Sequence, residues 1–177
     1  MGGIVMAETP RELFEHDVQD LYDAEQKLVR ALERMAKKAT DRELAKGFAA
    51  HAKTTQRQVR RLEQVFRTMG RKPKRHTCAG INGLIEEYAT FVRDEKPSEE
   101  VLDVFSVAAA LKVEHYEIVA YKDLLKLAQQ LGNETAASLL QETLKEEQDT
   151  ANLLESLSER LGAAMMAAGS TDEDEEE

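Results

Sequence analysis

The 177-residue sequence has no Trp, one Cys, three Pro, nine Gly and only 5% aromatic residues. So few turn-formers and so few aromatic or β-rich segments exclude a sandwich or barrel, folds that need a turn every ten residues or so. The single Cys78 excludes an internal disulfide and the stapled secreted class, and fits a reducing cytoplasm. No stretch reaches the roughly eighteen apolar residues of a membrane span. The start, Met1 to Met6, has neither the basic nor the apolar region of a secretory leader. A P-loop, a dinucleotide fingerprint and a nucleophile elbow are also missing, so no organic cofactor is expected.

What the sequence has in quantity is Ala, Leu, Glu, Lys, Arg and Gln, with 42% apolar and 33% charged residues and a net charge of −10. That is the composition of long amphipathic helices around one core. Thr9, Pro10 and Glu12 form a capping-box signature. The helix it opens carries Phe14, Val18, Leu21, Leu28, Leu32 and Met35 at helical spacing, to about residue 39. A second helix, over about 42–69, places Leu44, Phe48, Leu62 and Phe66 inward and closes at Gly70. A basic, Pro-containing loop then leads to a short helix over 81–92. Ser98 caps a third long helix with Val104, Val107, Leu111, Tyr121, Leu125 and Ala128 inward, and Gly132 ends it. A fourth, from 134 to about 161, buries Leu140, Leu144, Ala151 and Leu154. Two antiparallel hairpins joined by a long crossover that contains an extra helix predict an all-α, ferritin-like four-helix bundle. Residues 1–8 are expected to be a flexible extension, 9–162 the bundle, and 163–177 a disordered tail ending in the acidic run STDEDEEE.

Five polar residues interrupt the inward stripes: Glu25 on the first long helix, His51 on the second, Glu114 and Glu117 on the third, and Glu147 on the fourth. Sliding one hairpin over the other by 92 residues superimposes Glu25 on Glu117 and Thr55 on Glu147. At about 1.5 Å per residue, Glu25, Glu117 and Glu147 each lie about 22 Å from their hairpin turn and His51 about 16 Å, so all reach the middle of the bundle. Carboxylates converging there repel one another unless a cation or shared protons offset the charge. Oxygen-rich donor sets with an imidazole suit iron or manganese better than zinc, and a carboxylate-bridged metal pair is the economical expectation.

The strings LYDAEQKL, GLIEE, KVEHYEIVAY and LLQETLKEE, spread over about residues 11–155, resemble the YciE/YciF family of bacterial ferritin-like proteins. The resemblance implies a rubrerythrin- or ferritin-type bundle associated with stress responses and a carboxylate site between its four helices. Any reaction would be oxidation of the metal by oxygen or peroxide. It also implies acidic residues where this chain has Thr54 and Ala151, leaving a one-metal, weakened or vacant site as the alternative to a complete pair. A non-catalytic bundle acting by association is the competing function.

Other features carry less. His76 and Cys78 offer two soft ligands, too few for zinc. Glu86 and Glu87 fit packing or capping roles. Residues 53–75 hold nine Lys or Arg against Glu63 alone, a solvated basic face in an acidic chain, and the lack of interleaved aromatics argues against nucleic acid as a partner. Leu13, Tyr22, Val29, Val59 and Val65, at the flanks of the stripes, suggest uncovered apolar surface and a homodimer.

Overall fold

The computed structural model describes residues 8–173, with side chains described to residue 168. The described residues form five helices: α1 (Pro10–Lys38), α2 (Arg42–Thr68), α3 (Ala79–Asp94), α4 (Glu99–Gln130) and α5 (Glu134–Glu173). At the start of α1 the capping box is complete, the Thr9 side chain accepting from the Glu12 backbone N–H while Glu12 reaches back to the Thr9 backbone. Gly70 and Gly132 take positive φ, near 69° and 68°, just past α2 and α4. Arg71 then bonds back to the Phe66 carbonyl and Asn133 to that of Ala128, closing each helix as left-handed glycines do.

α1 pairs with α2 and α4 with α5; α2 also packs on α5, and α1 on α4. The Thr40–Asp41 turn meets Asp103 near the start of α4, and Asn133 in the second turn meets Thr68 at the end of α2. The two turns thus lie at opposite ends and every neighbouring pair is antiparallel. The crossover must run the length of the bundle, and α3 lies along α4 and α1 as it does so. This is the ferritin-like arrangement expected from the sequence.

The core divides into two apolar clusters. One gathers Phe14, Val18, Leu62, Phe66, Leu124 and Leu140, the other Leu32, Met35, Leu44, Phe48, Val107 and Leu154. The polar residues Glu25, His51, Glu114, Glu117 and Glu147 are all buried in the bundle with them.

The structure corrects three expectations. The fourth long helix does not end near Leu161 but continues to Glu173, because Ala163, Ala164, Met165, Met166, Ala167 and Ala168 are strong helix formers that outweigh Gly162; residues 174–177 of the expected tail, and 1–7 of the expected extension, lie outside the described residues. On α4 the inward face is rotated, so Ala110 and Leu124 are buried while Leu111 and Leu125 are only half-buried. Both sides of α4 are apolar because α3 covers one of them, and periodicity alone does not choose between them. Of the five flank residues expected at the surface, Leu13 is exposed, Tyr22, Val29 and Val59 are half-buried, and Val65 is fully buried. Among the described residues no helix is long and apolar enough to cross a membrane.

Candidate metal centre

Each of the five interrupting residues is buried: Glu25, Glu114, Glu117 and Glu147 at 1% exposure or less, and His51 at 8%. α1 contributes Glu25, α2 His51, α4 Glu114 and Glu117 one turn apart, and α5 Glu147. His51 Nε2 lies 3.1 Å from Glu114 Oε1 and 3.7 Å from Glu147 Oε2. These three side chains offer ligand atoms within 4.8 Å of one another. On its other face, His51 Nδ1 is 3.3 Å from Thr150 Oγ1, a contact that orients the ring with Nε2 toward the carboxylates. Glu25 accepts a short hydrogen bond from the Tyr121 hydroxyl.

The unpartnered atoms are the informative ones. Glu25 Oε2, Glu114 Oε2, Glu117 Oε1 and both carboxylate oxygens of Glu147 are buried without a hydrogen-bond partner. A buried acceptor left unmet costs about 1–3 kcal/mol, more when ionised, and native cores rarely tolerate one, let alone five on four side chains; His51, Glu114 and Glu147 come together, while Glu25 and Glu117 lie outside that close group. The electrostatics agree. Burial pushes Glu25 up to about 8, partly opposed by the Tyr121 hydrogen bond and by His51. Burial, reinforced by the neighbouring carboxylates, holds Glu117 and Glu147 well above the usual carboxylate range. Burial works against a charged His51, yet Glu114 and Glu25 raise its pKa overall. Oxygen donors with one imidazole, strained as a bare cluster, fit a hard or borderline divalent cation.

The sequence had singled out these five residues but not their supports. Helical spacing shows Tyr121 only as a packing residue; in the structure Tyr121 and Glu25 are both fully buried. Replacing it with Phe is expected to destabilise the metal-free protein by about 2 kcal/mol and to move Glu25 still further up, measurable by urea denaturation. Tyr121→Phe of wild-type stability would show that the hydroxyl is not holding Glu25.

On α2, Thr55 and Gln58 face inward, buried at 1% or less. Thr55 donates to the His51 carbonyl at 3.0 Å, and Gln58 donates to Glu146 Oε2 at 3.1 Å. The internal repeat puts Thr55 opposite Glu147 and Gln58 opposite Thr150, the places where ferritin-like sites carry their Glu-x-x-His pairs. Thr54, by contrast, is half-buried and bonded to Arg57, and Asp149 points out to Lys145, so it does not stand in for Ala151. His115 is exposed.

The weaker candidates are accounted for structurally. Cys78 caps α3, its sulfur accepting from Ile81 N, and His76 lies against His16 in the open, the two rings tilted at 51°. Glu87 pairs with Lys112, and Glu86 accepts from Thr90. In the basic segment, Arg57 and Arg61 pair with Glu146, Arg71 with Glu15, and Arg75 with Asp23, so part of its charge is neutralised within the chain.

A family model described as "Domain of unknown function (DUF892)" matches residues 9–167. Protein YciF of Escherichia coli (strain K12) is 43% identical over 143 residues, covering 80% of this chain and 86% of that one. The crystal structure of that bacterium's stress protein YciF superimposes with a TM-score of 0.84 at 40% identity, over 88% of this chain and 98% of that one. Symerythrin from Cyanophora paradoxa matches with a TM-score of 0.64 at 17% identity, over 91% and 89% of the two chains, a likeness of fold alone.

Proposed function

The chain belongs to the DUF892 family, and from that premise we propose that it is a stress-associated protein, as its relative YciF is described, that binds iron or manganese in the middle of its bundle. His51, Glu114 and Glu147 are the primary ligands, with Glu25 and Glu117 completing the oxygen shell. The observation that carries this reading is the set of five buried carboxylate oxygens with no partner. On α2, Thr55 and the neutral Gln58, whose Oε1 is buried without a partner, stand where a symmetric pair would have a carboxylate and a second imidazole, so the site favours one tightly held ion over a symmetric pair.

When bound, such an ion supplies a one-electron couple toward oxygen or peroxide. The protein's own part is positional. Thr150 fixes the His51 ring and Tyr121 holds one oxygen of Glu25. With the pKa of Glu25, Glu117 and Glu147 raised, binding must displace protons from them, so affinity rises with pH.

Glu147→Ala and His51→Ala are each expected to lower metal per chain at least about tenfold, by elemental analysis after anaerobic loading with Fe(II) or Mn(II). The metal-free Glu147→Ala protein should melt at or above the wild-type temperature, since it removes a buried carboxyl whose two oxygens have no partner. Wild-type metal content in both variants, together with lost stability, would make these residues structural hydrogen-bonding groups and leave the bundle to act by association alone.

A further inference from the structure

α3 does not pack flush on the bundle. Of its residues only Ile81 is buried; Leu84 and Ile85 pack against the first apolar cluster with part of their surface and, with Val92, line a cavity of about 400 Å³ with the rest. The opposite walls come from Leu28 and Met35 on α1 and Val113 on α4. The volume lies within the range of about 300–1,000 Å³ that small-molecule sites occupy. From Leu28 to Lys38 the α1 wall rises about 15 Å, so the space is long and narrow, parallel to the bundle axis.

The charges along it are segregated. The floor is formed by His51, Glu114 and Glu117. Arg34, Lys38 and Arg93 line the other end and are exposed. Arg93 is paired with Asp94, but among the described residues neither Arg34 nor Lys38 has an ion pair or hydrogen bond. Two unpaired cations beside an apolar slot are a local exception in a chain of net charge −10.

We infer that this cavity binds a single-chain amphiphile with an anionic head, a fatty-acid-like carboxylate, its head group at Arg34 and Lys38 and its hydrocarbon tail running down between α1, α3 and α4. The cations decide the orientation: Arg34 and Lys38 stand exposed at one end, where a head group stays hydrated, while the tail has the apolar walls to itself. The apolar walls suit a chain without hydrogen-bonding groups, and long-range attraction to the mouth selects the sign of the head. The cavity shares His51, Glu114 and Glu117 with the proposed metal centre, but the residues assigned to the head group and the tail include none of the three.

The test uses the full chain, with metal content measured on the same samples. Dodecanoate is expected to bind saturably, one per chain, by titration calorimetry. Dodecyltrimethylammonium, with the same tail and the opposite head charge, should bind at least about tenfold more weakly. Arg34→Glu combined with Lys38→Glu should weaken dodecanoate by a similar factor while leaving metal content unchanged. Ala89→Trp, on the exposed side of α3 and in the cavity wall, should block the tail without disturbing the core. Loss of metal with dodecanoate binding retained would sink only the metal reading. No saturable binding, equal binding of the two head groups, or indifference to the charge reversal would overturn this one. So would a cavity closed to dodecanoate because a second copy of the chain covers it, seen as sedimentation of a dimer that excludes the probe.

Discussion

In the metal-free protein, thermal stability is expected to rise as the pH falls from about 8 toward about 5, the reverse of ordinary acid sensitivity. The cause is the polar layer. Glu25 titrates near 8 when folded against an ordinary value of 4.5, and Glu117 and Glu147 are shifted the same way by burial and by each other. Between the two values the folded state binds more protons than the unfolded state, so stability falls as pH rises through that window. His51 acts in the same direction, because its pKa is also raised and its contribution is lost as pH rises through the folded value. The groups facing this cluster are Tyr121 from α4, Arg61 from α2 and Glu146 from α5, and Arg61 and Glu146 are already paired with each other.

Each unit of raised pKa corresponds to about 1.4 kcal/mol, so several coupled groups together supply a few kcal/mol and a melting shift on the order of 10 °C. Below the ordinary carboxylate range the trend must turn over. Asp23, Asp41 and Glu146 have lowered values, held by Lys27, Arg160 and Arg61 respectively, and their stabilisation disappears as they protonate. Melting curves in chelator from about pH 4 to 8 test this directly, with Glu25→Gln flattening the slope. A melting temperature that is constant or falls toward pH 5 would show that the layer is not protonated in the folded state.

Asp103→Ala is expected to destabilise the fold by about 3 kcal/mol and lower its melting temperature by about 6–12 °C. Asp103, 3% exposed near the start of α4, accepts from Thr40 N at 3.0 Å, Thr40 Oγ1 at 2.7 Å and Asp41 N at 2.7 Å. It ties the first hairpin turn to the second hairpin. Asp41 beside it caps α2 and pairs with Arg160 near the far end of α5, so four elements meet there. Removing the carboxylate leaves two backbone donors unmet and frees the turn. Asp103→Asn, with one acceptor oxygen in place of two, should fall between wild type and Ala by urea denaturation. A loss below about 1 kcal/mol would mean that water replaces Asp103 without penalty.

Asp103 also shows where sequence reading stops. The third long helix was read with Val104 inward, yet Val104 is half-buried and Asp103 is buried. An acid at a helix start looks like a dipole-favoured surface residue, and only the approach of the Thr40 turn, sixty-three residues away, makes it a buried acceptor. The candidate metal ligands were legible for the opposite reason. On α1, α2 and α5 the apolar period is strong, so Glu25, His51 and Glu147 stand out as interruptions.

The sequence by itself determined the helical class, the hairpin-crossover-hairpin order, the caps at Thr9 and Ser98, the closures at Gly70 and Gly132, and which five polar residues interrupt the inward stripes. These follow from local physics, namely propensity, 3.6-residue periodicity, left-handed glycines and a fixed rise per residue. Only the tertiary structure decided the rotation of α4, the burial of Val65, the roles of Tyr121 and Gln58, and the cavity beneath α3. Each depends on which neighbour covers an already apolar or amphipathic face, and that is set by packing between segments far apart in the chain, where side-chain spacing along one helix carries no information.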